Sequence, residues 1–270
     1  MLLSQAGPAG AVLFYATANP TYNTNTPTKT YTNSGWQYVG HWSIFTGTVI
    51  ASNYFITAKH VGGALGDPFL FRGTNYPAIA VYEDPASDLA IWRVAGTLAP
   101  VAPLYTKPNE RNKPLVVIGR GTPRGAEVRV KKVLKGWQWG DYDGVQRWGR
   151  NIVSSIVPAG NGNGDLLRVT FDARVPGESH LSVGDSGGPL FIKDGRVWEL
   201  AGINSGVDGP FNTTGSGDGF KAAIFDARGL YVETASGWML LQGPRPIPSA
   251  FYATRISSRT NWINRILTQP

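Results

Sequence analysis

The chain has 270 residues, 25 basic against 18 acidic side chains for a formal charge of +7, and no cysteine. The absence of cysteine excludes disulfide staples, thiolate zinc sites, iron–sulfur clusters and a cysteine nucleophile, and no run approaches the roughly 18 apolar residues of a membrane helix. Thirty-four glycines and 19 prolines beside 42% apolar residues favour many short strands joined by tight turns over a helical bundle.

The first 28 residues carry no charged side chain. Gly10 to Ala18 is apolar and contains Ala16-Thr17-Ala18, a small-x-small pattern, but a signal peptide would open with positive charge. Residues 1–34, ending in the Thr/Asn/Pro tract Asn19 to Ser34, are therefore expected to form an extended arm whose first charge is Lys29. Strand-like runs follow at Ser43–Ala51, Tyr54–Thr57, Phe69–Phe71, Tyr76–Tyr82 and Leu89–Val94. A Pro-rich bridge from Ala99 to Pro114 separates them from a second set. That set comprises Leu115–Gly119, Glu127–Leu134, Asn151–Val157, Leu166–Phe171, Pro189–Ile192 and Val197–Asn204. Asp194-Gly195 signals a hairpin, and Asn161-Gly162-Asn163-Gly164 a turn. The spacing predicts an all-β protein, with two barrels divided at the bridge. Only Ser257–Thr268 reads as helix, with Trp262, Ile263, Ile266 and Leu267 on one face.

Gly184-Asp185-Ser186-Gly187-Gly188-Pro189 carries the most chemical information. Glycines on both sides of a serine permit a backbone that presents the hydroxyl while aiming amide N–H groups at a developing oxyanion. The segment also fits G-x-S-x-G, so chain order has to separate the possible scaffolds. No histidine follows Ser186, which removes the α/β-hydrolase order. No Asp or Glu precedes His60, which removes the subtilisin order. The order His…Asp…Ser remains, with His60 as base at the end of an apolar strand. Eight aspartates lie between His60 and Ser186. Asp88 is preferred because Leu89-Ala90-Ile91-Trp92 carries it directly into a buried strand, with Asp84 in reserve. His41 is assigned no catalytic role.

Thr57-Ala58-Lys59-His60, Ser87-Asp88-Leu89-Ala90-Ile91 and Gly184 to Pro189 resemble the three signature blocks of trypsin-like serine peptidases. Phe251 to Ile256 with Asn261-Trp262-Ile263 is similar to that family's last strand and C-terminal helix, and Gly119-Arg120-Gly121 to the glycine pair opening its second barrel. The resemblance implies two packed antiparallel β-barrels in a peptidase domain spanning 35–270. Barrel one would cover about 35–110, barrel two about 111–256 and the helix about 257–268. It also implies serine endopeptidase chemistry through His60, Asp88 and Ser186, with the N–H groups of Gly184 and Ser186 as oxyanion hole. An esterase with the same triad, or a binding module on the same fold, are the alternatives. Thr46 and Val61 stand where the family's animal members place a disulfide beside the histidine, and no Ile-Val-Gly-Gly terminus is present to pair with Asp185. Arg120 is the candidate partner for that aspartate. A cysteine-free, bacterial-type member is implied, acting outside the cytoplasm in the extracellular or periplasmic space.

By the same resemblance His180 lies at the base of the substrate pocket and Asn204, Ser205, Gly206 and Val207 form its wall. The absence of an aspartate at the base argues against a simple preference for Arg or Lys. His180 either favours an acidic or polar side chain or is a hydrogen-bonded structural residue. Residues 207–250 form an expansion that either extends the cleft rim or decorates the surface, and Asn212-Thr213-Thr214 within it is a glycosylation sequon. Residues 120–150 hold eight of the 25 basic side chains and three tryptophans, a pattern found in nucleic-acid binders. One solvated charged strand face accounts for it better, so nucleic acid is not expected as a partner. Asn161, Asn163 and Asp165 alternate like calcium ligands, but Leu166 stands where the loop needs glycine, and no metal or cofactor is expected. A monomer acting on polypeptide substrates is expected.

Overall fold

Short runs rich in β-branched and aromatic residues form strands throughout the described residues. A computed structural model describes residues 12–160 and 164–268. Six strands close the first barrel in the spatial order Val39–Trp42, Phe45–Ala51, Tyr54–Ala58, Leu89–Val94, Thr74–Glu83 and Pro68–Phe71. Its interior is aromatic: Phe55 stacks on Phe69 at 4.0 Å, and Trp42 meets Trp92 at 4.7 Å. Such pairs add about 0.5–1.5 kcal/mol beyond the area they bury.

The second barrel is a seven-stranded antiparallel sheet. Its order is Arg147–Ile152, Pro114–Gly119, Pro189–Asp194, Val197–Val207, Ala250–Arg255, Asp165–Thr170 and Ser155–Pro158. The first and last of these are halves of one bent segment, interrupted at Val153-Ser154. The segment thus pairs with Pro114–Gly119 through one half and with Asp165–Thr170 through the other. The bend explains why the run expected as a single strand over Asn151–Val157 is two.

Ile56, Leu89 and Ile91 from the first barrel pack with Val116, Ile118, Leu200 and Ile203 from the second. The C-terminal helix, Thr260–Leu267, buries Trp262, Ile263 and Ile266 in that same cluster. It begins later than Ser257 because residues 257–259 serve as connectors: Ser257 Oγ donates to Glu110, and Arg259 Nε donates to Asp84 at 2.6 Å. Among the described residues no helix is long and apolar enough to cross a membrane.

Two further elements differ from expectation. Glu127–Leu134 is not one strand but the tip of a hairpin between Arg124–Val130 and Val133–Trp139. Its turn residues Lys131 and Lys132 have φ of 47° and 68°. Hairpin turns with two positive φ values are normally announced by Asn-Gly, and Lys-Lys gives no such signal. Residues 12–34 lie against the second barrel: Val12, Leu13 and Phe14 are buried, and Leu13–Phe14 pairs antiparallel with Ser179–His180. Arg124 holds this strap by donating to the carbonyls of Phe14 and Tyr15.

The same contacts revise the reading of the basic stretch. Arg124 lies 3.6 Å over the Trp137 ring, Lys135 pairs with Asp226 at 2.9 Å, and Arg147 is buried and ion-paired with Asp143. Only Arg129, Lys131 and Lys132 of the eight are exposed. Most of these charges tie the barrel to its strap and expansion instead of lining a solvated face. Of the residues expected in a turn or a calcium-like loop, Asn161, Gly162 and Asn163 lie outside the described residues, while Asp165 accepts from Arg255 at 3.0 Å.

Candidate active site

His60 sits on a single 3-10 turn, Lys59–Val61, at the end of the buried strand Tyr54–Ala58. That turn is held without a crosslink: Trp42 Nε1 donates to Gly62 O at 2.8 Å, and Thr57 Oγ1 to Thr46 O at 2.9 Å. Asp88 enters from the neighbouring strand. Its backbone carbonyl accepts from Lys59 N, and its Oδ1 accepts from His60 N at 3.0 Å. Side chain meets side chain at 2.7 Å between His60 Nδ1 and Asp88 Oδ2, and at 2.8 Å between His60 Nε2 and Ser186 Oγ. Ser205 Oγ donates to the same Asp88 oxygen at 2.8 Å. Burial would raise the Asp88 carboxyl, but the hydrogen bonds and charge of His60, joined by Ser205, hold it below its ordinary value. A carboxylate that stays ionised can fix the imidazole tautomer and stabilise an imidazolium.

The turn carrying Ser186 is built from the second barrel. Gly187 has φ +74°, and a Cβ there would lie 2.1 Å from Thr57 Oγ1 and 2.7 Å from Thr46 O. Only glycine lets this turn dock against the first barrel. Gly184, at φ +93°, permits the reversal before the serine. Asn204 clamps the turn from below, receiving Gly187 N at 2.9 Å and donating its own N–H to Gly188 O at 2.8 Å. Among the described residues the N–H groups of Gly184 and Ser186 have no acceptor.

Asp185 turns inward and is fully buried. Gly121 N donates to it at 2.7 Å, and Ser182 N at 2.8 Å. Arg120, the expected partner, instead donates to Gly144 O and Ser43 O. The backbone of the Gly119-Arg120-Gly121 segment, not its side chain, satisfies the aspartate. Asp84, the reserve acid, is also committed elsewhere: Arg259 holds both its oxygens, at 2.5 and 2.6 Å, and Ser87 Oγ donates at 2.6 Å.

A cavity of about 300 Å³ opens beside Ser186. Asn204, Ser205, Gly206 and Val207 line it with Trp139, Leu181, Ser182, Val183 and Lys221. His180 does not reach it. The ring is completely buried, edge-on to Phe171 and Phe251, with Nδ1 2.8 Å from Leu181 O and Nε2 3.2 Å from Ser249 Oγ. Burial depresses its pKa to about 4, so it is a neutral structural residue at ordinary pH.

A family model described as a trypsin-like peptidase domain matches residues 45–200, more than half of the chain. The chain belongs to the trypsin-like peptidases. Among curated relatives it is 28% identical over 172 residues to the serine protease SepA autotransporter of Shigella flexneri, covering 58% of this chain and 12% of that protein. It is also 28% identical over 207 residues to the magnetosome formation protease MamE of Paramagnetospirillum magneticum, covering 73% of this chain and 24% of that one. The chain thus spans a quarter or less of the length of these relatives. In fold it is similar to mouse neuropsin, a serine protease, with TM-score 0.53 at 13% identity, over 87% of this chain and 96% of that one.

Leu181, Ser182 and Val183 join the lining as neighbours of His180 in the chain, but Trp139 and Lys221 of this trypsin-like chain lie far in sequence from every residue expected there. Both come from the sheet that the 207–250 expansion builds: Ala222–Ile224 pairs with Gly136 to Gln138, and Trp139 N donates to Lys221 O at 3.3 Å. The pairing joins segments distant in sequence, and neither carries a motif. The sequon in that expansion has another use. Asn212 is buried, with Nδ2 donating to Ser216 O at 3.0 Å and Asp218 O at 2.9 Å, which anchors the loop.

Proposed function

We propose that the protein is a serine endopeptidase in which Ser186 is the nucleophile, His60 the general base and acid, and Asp88 the group that orients the imidazole. The observation that carries this reading is the unbroken hydrogen-bonded chain from Asp88 through His60 to Ser186, at 2.7 and 2.8 Å. Nε2 takes the Ser186 proton as Oγ attacks the peptide carbonyl, and later returns it to the departing amine. Water then repeats the sequence on the acyl-enzyme. The N–H groups of Gly184 and Ser186 receive the tetrahedral oxyanion, each donor stabilising it by about 3 kcal/mol. Cleavage of polypeptides fits the names of both relatives, and a site outside the cytoplasm fits the one named an autotransporter.

A fluorophosphonate probe tests the reading directly. The native protein is labelled, and Ser186→Ala, which removes one oxygen at a half-buried position, folds but takes no label. A native protein that stays unlabelled overturns the proposal. Hydrolysis of casein by the native protein then identifies a peptidase, whereas turnover of small esters alone identifies an esterase.

A further inference from the structure

The cavity beside Ser186 contains one cationic side chain, Lys221, and no carboxylate that faces it free of other partners. Lys221 immediately precedes the short strand Ala222–Ile224, so the ladder to Gly136–Gln138 and the Trp139 N–H fix its backbone. Among the described residues its ammonium group makes no hydrogen bond or ion pair. The acids nearest to it are otherwise engaged or exposed. Asp208 accepts from Ala250 N at 2.8 Å and from Tyr252 Oη at 2.7 Å, and Glu233 lies on the surface. Asp185, which also contributes to the lining, is bound to Gly121 and Ser182.

The other polar atoms around the cavity are committed too. Ser205 Oγ donates to Asp88, and Ser182 Oγ to Thr122 O at 2.9 Å. The Trp139 indole N–H and Asn204 Oδ1 lack partners among the described residues, but both atoms are shut off from solvent. What remains is a slot with apolar walls from Leu181, Val183, Val207 and the Trp139 ring, and a positive charge at one side. Aliphatic walls fit methylene groups, and the unpaired ammonium fits a carboxylate.

Resting on the peptidase reading above, we propose that Lys221 determines substrate choice, and that the enzyme cleaves after acidic residues, glutamate above all. A basic side chain entering the slot would meet a like charge in a partly desolvated space, which a trypsin-like pocket must avoid. His180 is thus the structural residue of the two alternatives raised for it, and charge selection falls to a residue of the expansion.

The test compares peptides that differ only in the residue before the scissile bond: Glu, Gln, Leu and Lys. The ratio of kcat/KM for Glu over its isostere Gln is expected at about 10- to 100-fold, the worth of one hydrogen bond to a charged group. Lys221→Met brings that ratio to near one, Lys221→Arg preserves it, and Lys221→Glu shifts preference towards the Lys peptide. A ratio is independent of the fraction of a variant that folds. The native ratio also needs no variant. Fluorophosphonate labelling of the native protein with equal Glu and Gln rates overturns the pocket assignment while leaving the peptidase reading intact. A Glu preference that survives Lys221→Met also overturns it. A native protein that neither takes label nor cleaves any peptide overturns both.

Discussion

Asp185 is next to the nucleophile in sequence yet points away from it, and this orientation has an electrostatic cost. Burial pushes its carboxyl up from 3.8 to about 6, against the pull of the Ser182 and Gly121 donors and the charge of Arg147. Between those two values the folded state holds a proton that the unfolded chain has released. The contribution of this group to stability therefore falls as pH rises from about 4 to about 6, by up to about 3 kcal/mol, and is constant above that. Asp185→Asn removes the titration, although its amide nitrogen can no longer accept one of the two backbone N–H bonds. The variant is expected to lose more stability relative to the native protein at pH 4 than at pH 7, measured by urea unfolding at both. An equal deficit at the two pH values would show that Asp185 does not titrate in this range. At this scale chain order was legible as far as it constrained the chemistry: no histidine follows Ser186 and no acid precedes His60, which leaves the order His…Asp…Ser, and the structure joins His60, Asp88 and Ser186 by hydrogen bonds. Ser205 was legible only as a wall residue. Its bond to Asp88 depends on how two barrels face each other, which no local pattern encodes. Lys221 was invisible for the same reason.

Elements were legible where alternation or an apolar run ended in a conventional turn, as at Tyr54–Ala58, Leu89–Val94 and the hairpin after Asp194. The strap was not. Leu13 and Phe14 lie in an uncharged segment with no turn signal, and their partners Ser179 and His180 lie more than half the chain away. Yet the strap is an integral part of the second barrel. Leu13 is buried with Trp137, Phe171 and Ala223, and the strand it pairs with leads directly into the turn that carries Ser186. Leu13→Ala should cost about 2–5 kcal/mol, the usual range for a buried leucine truncated to alanine. It should appear as a lower denaturation midpoint with an unchanged slope. A midpoint within error of the native value would mean that the strap is not part of the cooperative unit. The Lys131-Lys132 turn marks a different limit. Its backbone is imposed by pairing of the flanking strands, which overrides the preference of lysine for negative φ.

The whole molecule depends on keeping the two barrels in register, because His60 and Asp88 come from one and Ser186 and Ser205 from the other. An apolar cluster shared by both barrels and the C-terminal helix supplies most of the adhesion, and it has no directional preference. Direction comes from buried charge. Arg259, just before the helix, grips Asp84 of the first barrel through both oxygens, and Arg255 of the last strand grips Glu110 at 2.8 Å. Asp84 is completely buried, and burial would raise its pKa, but Arg259, Ser87 and Ala86 together hold it below 3.8. Its contribution is therefore complete above about pH 4 and is lost as the pH falls further. Asp84→Asn leaves Arg259 without its counter-charge in a largely closed site, and removing one partner of such a pair typically costs about 3–5 kcal/mol. Asp84→Asn with Arg259→Met removes both charges and should recover part of that loss, so the cycle yields a positive coupling energy. Urea unfolding of the four proteins at pH 7 measures it. Additive single and double effects would mean that the Asp84–Arg259 pair does not help to align the barrels.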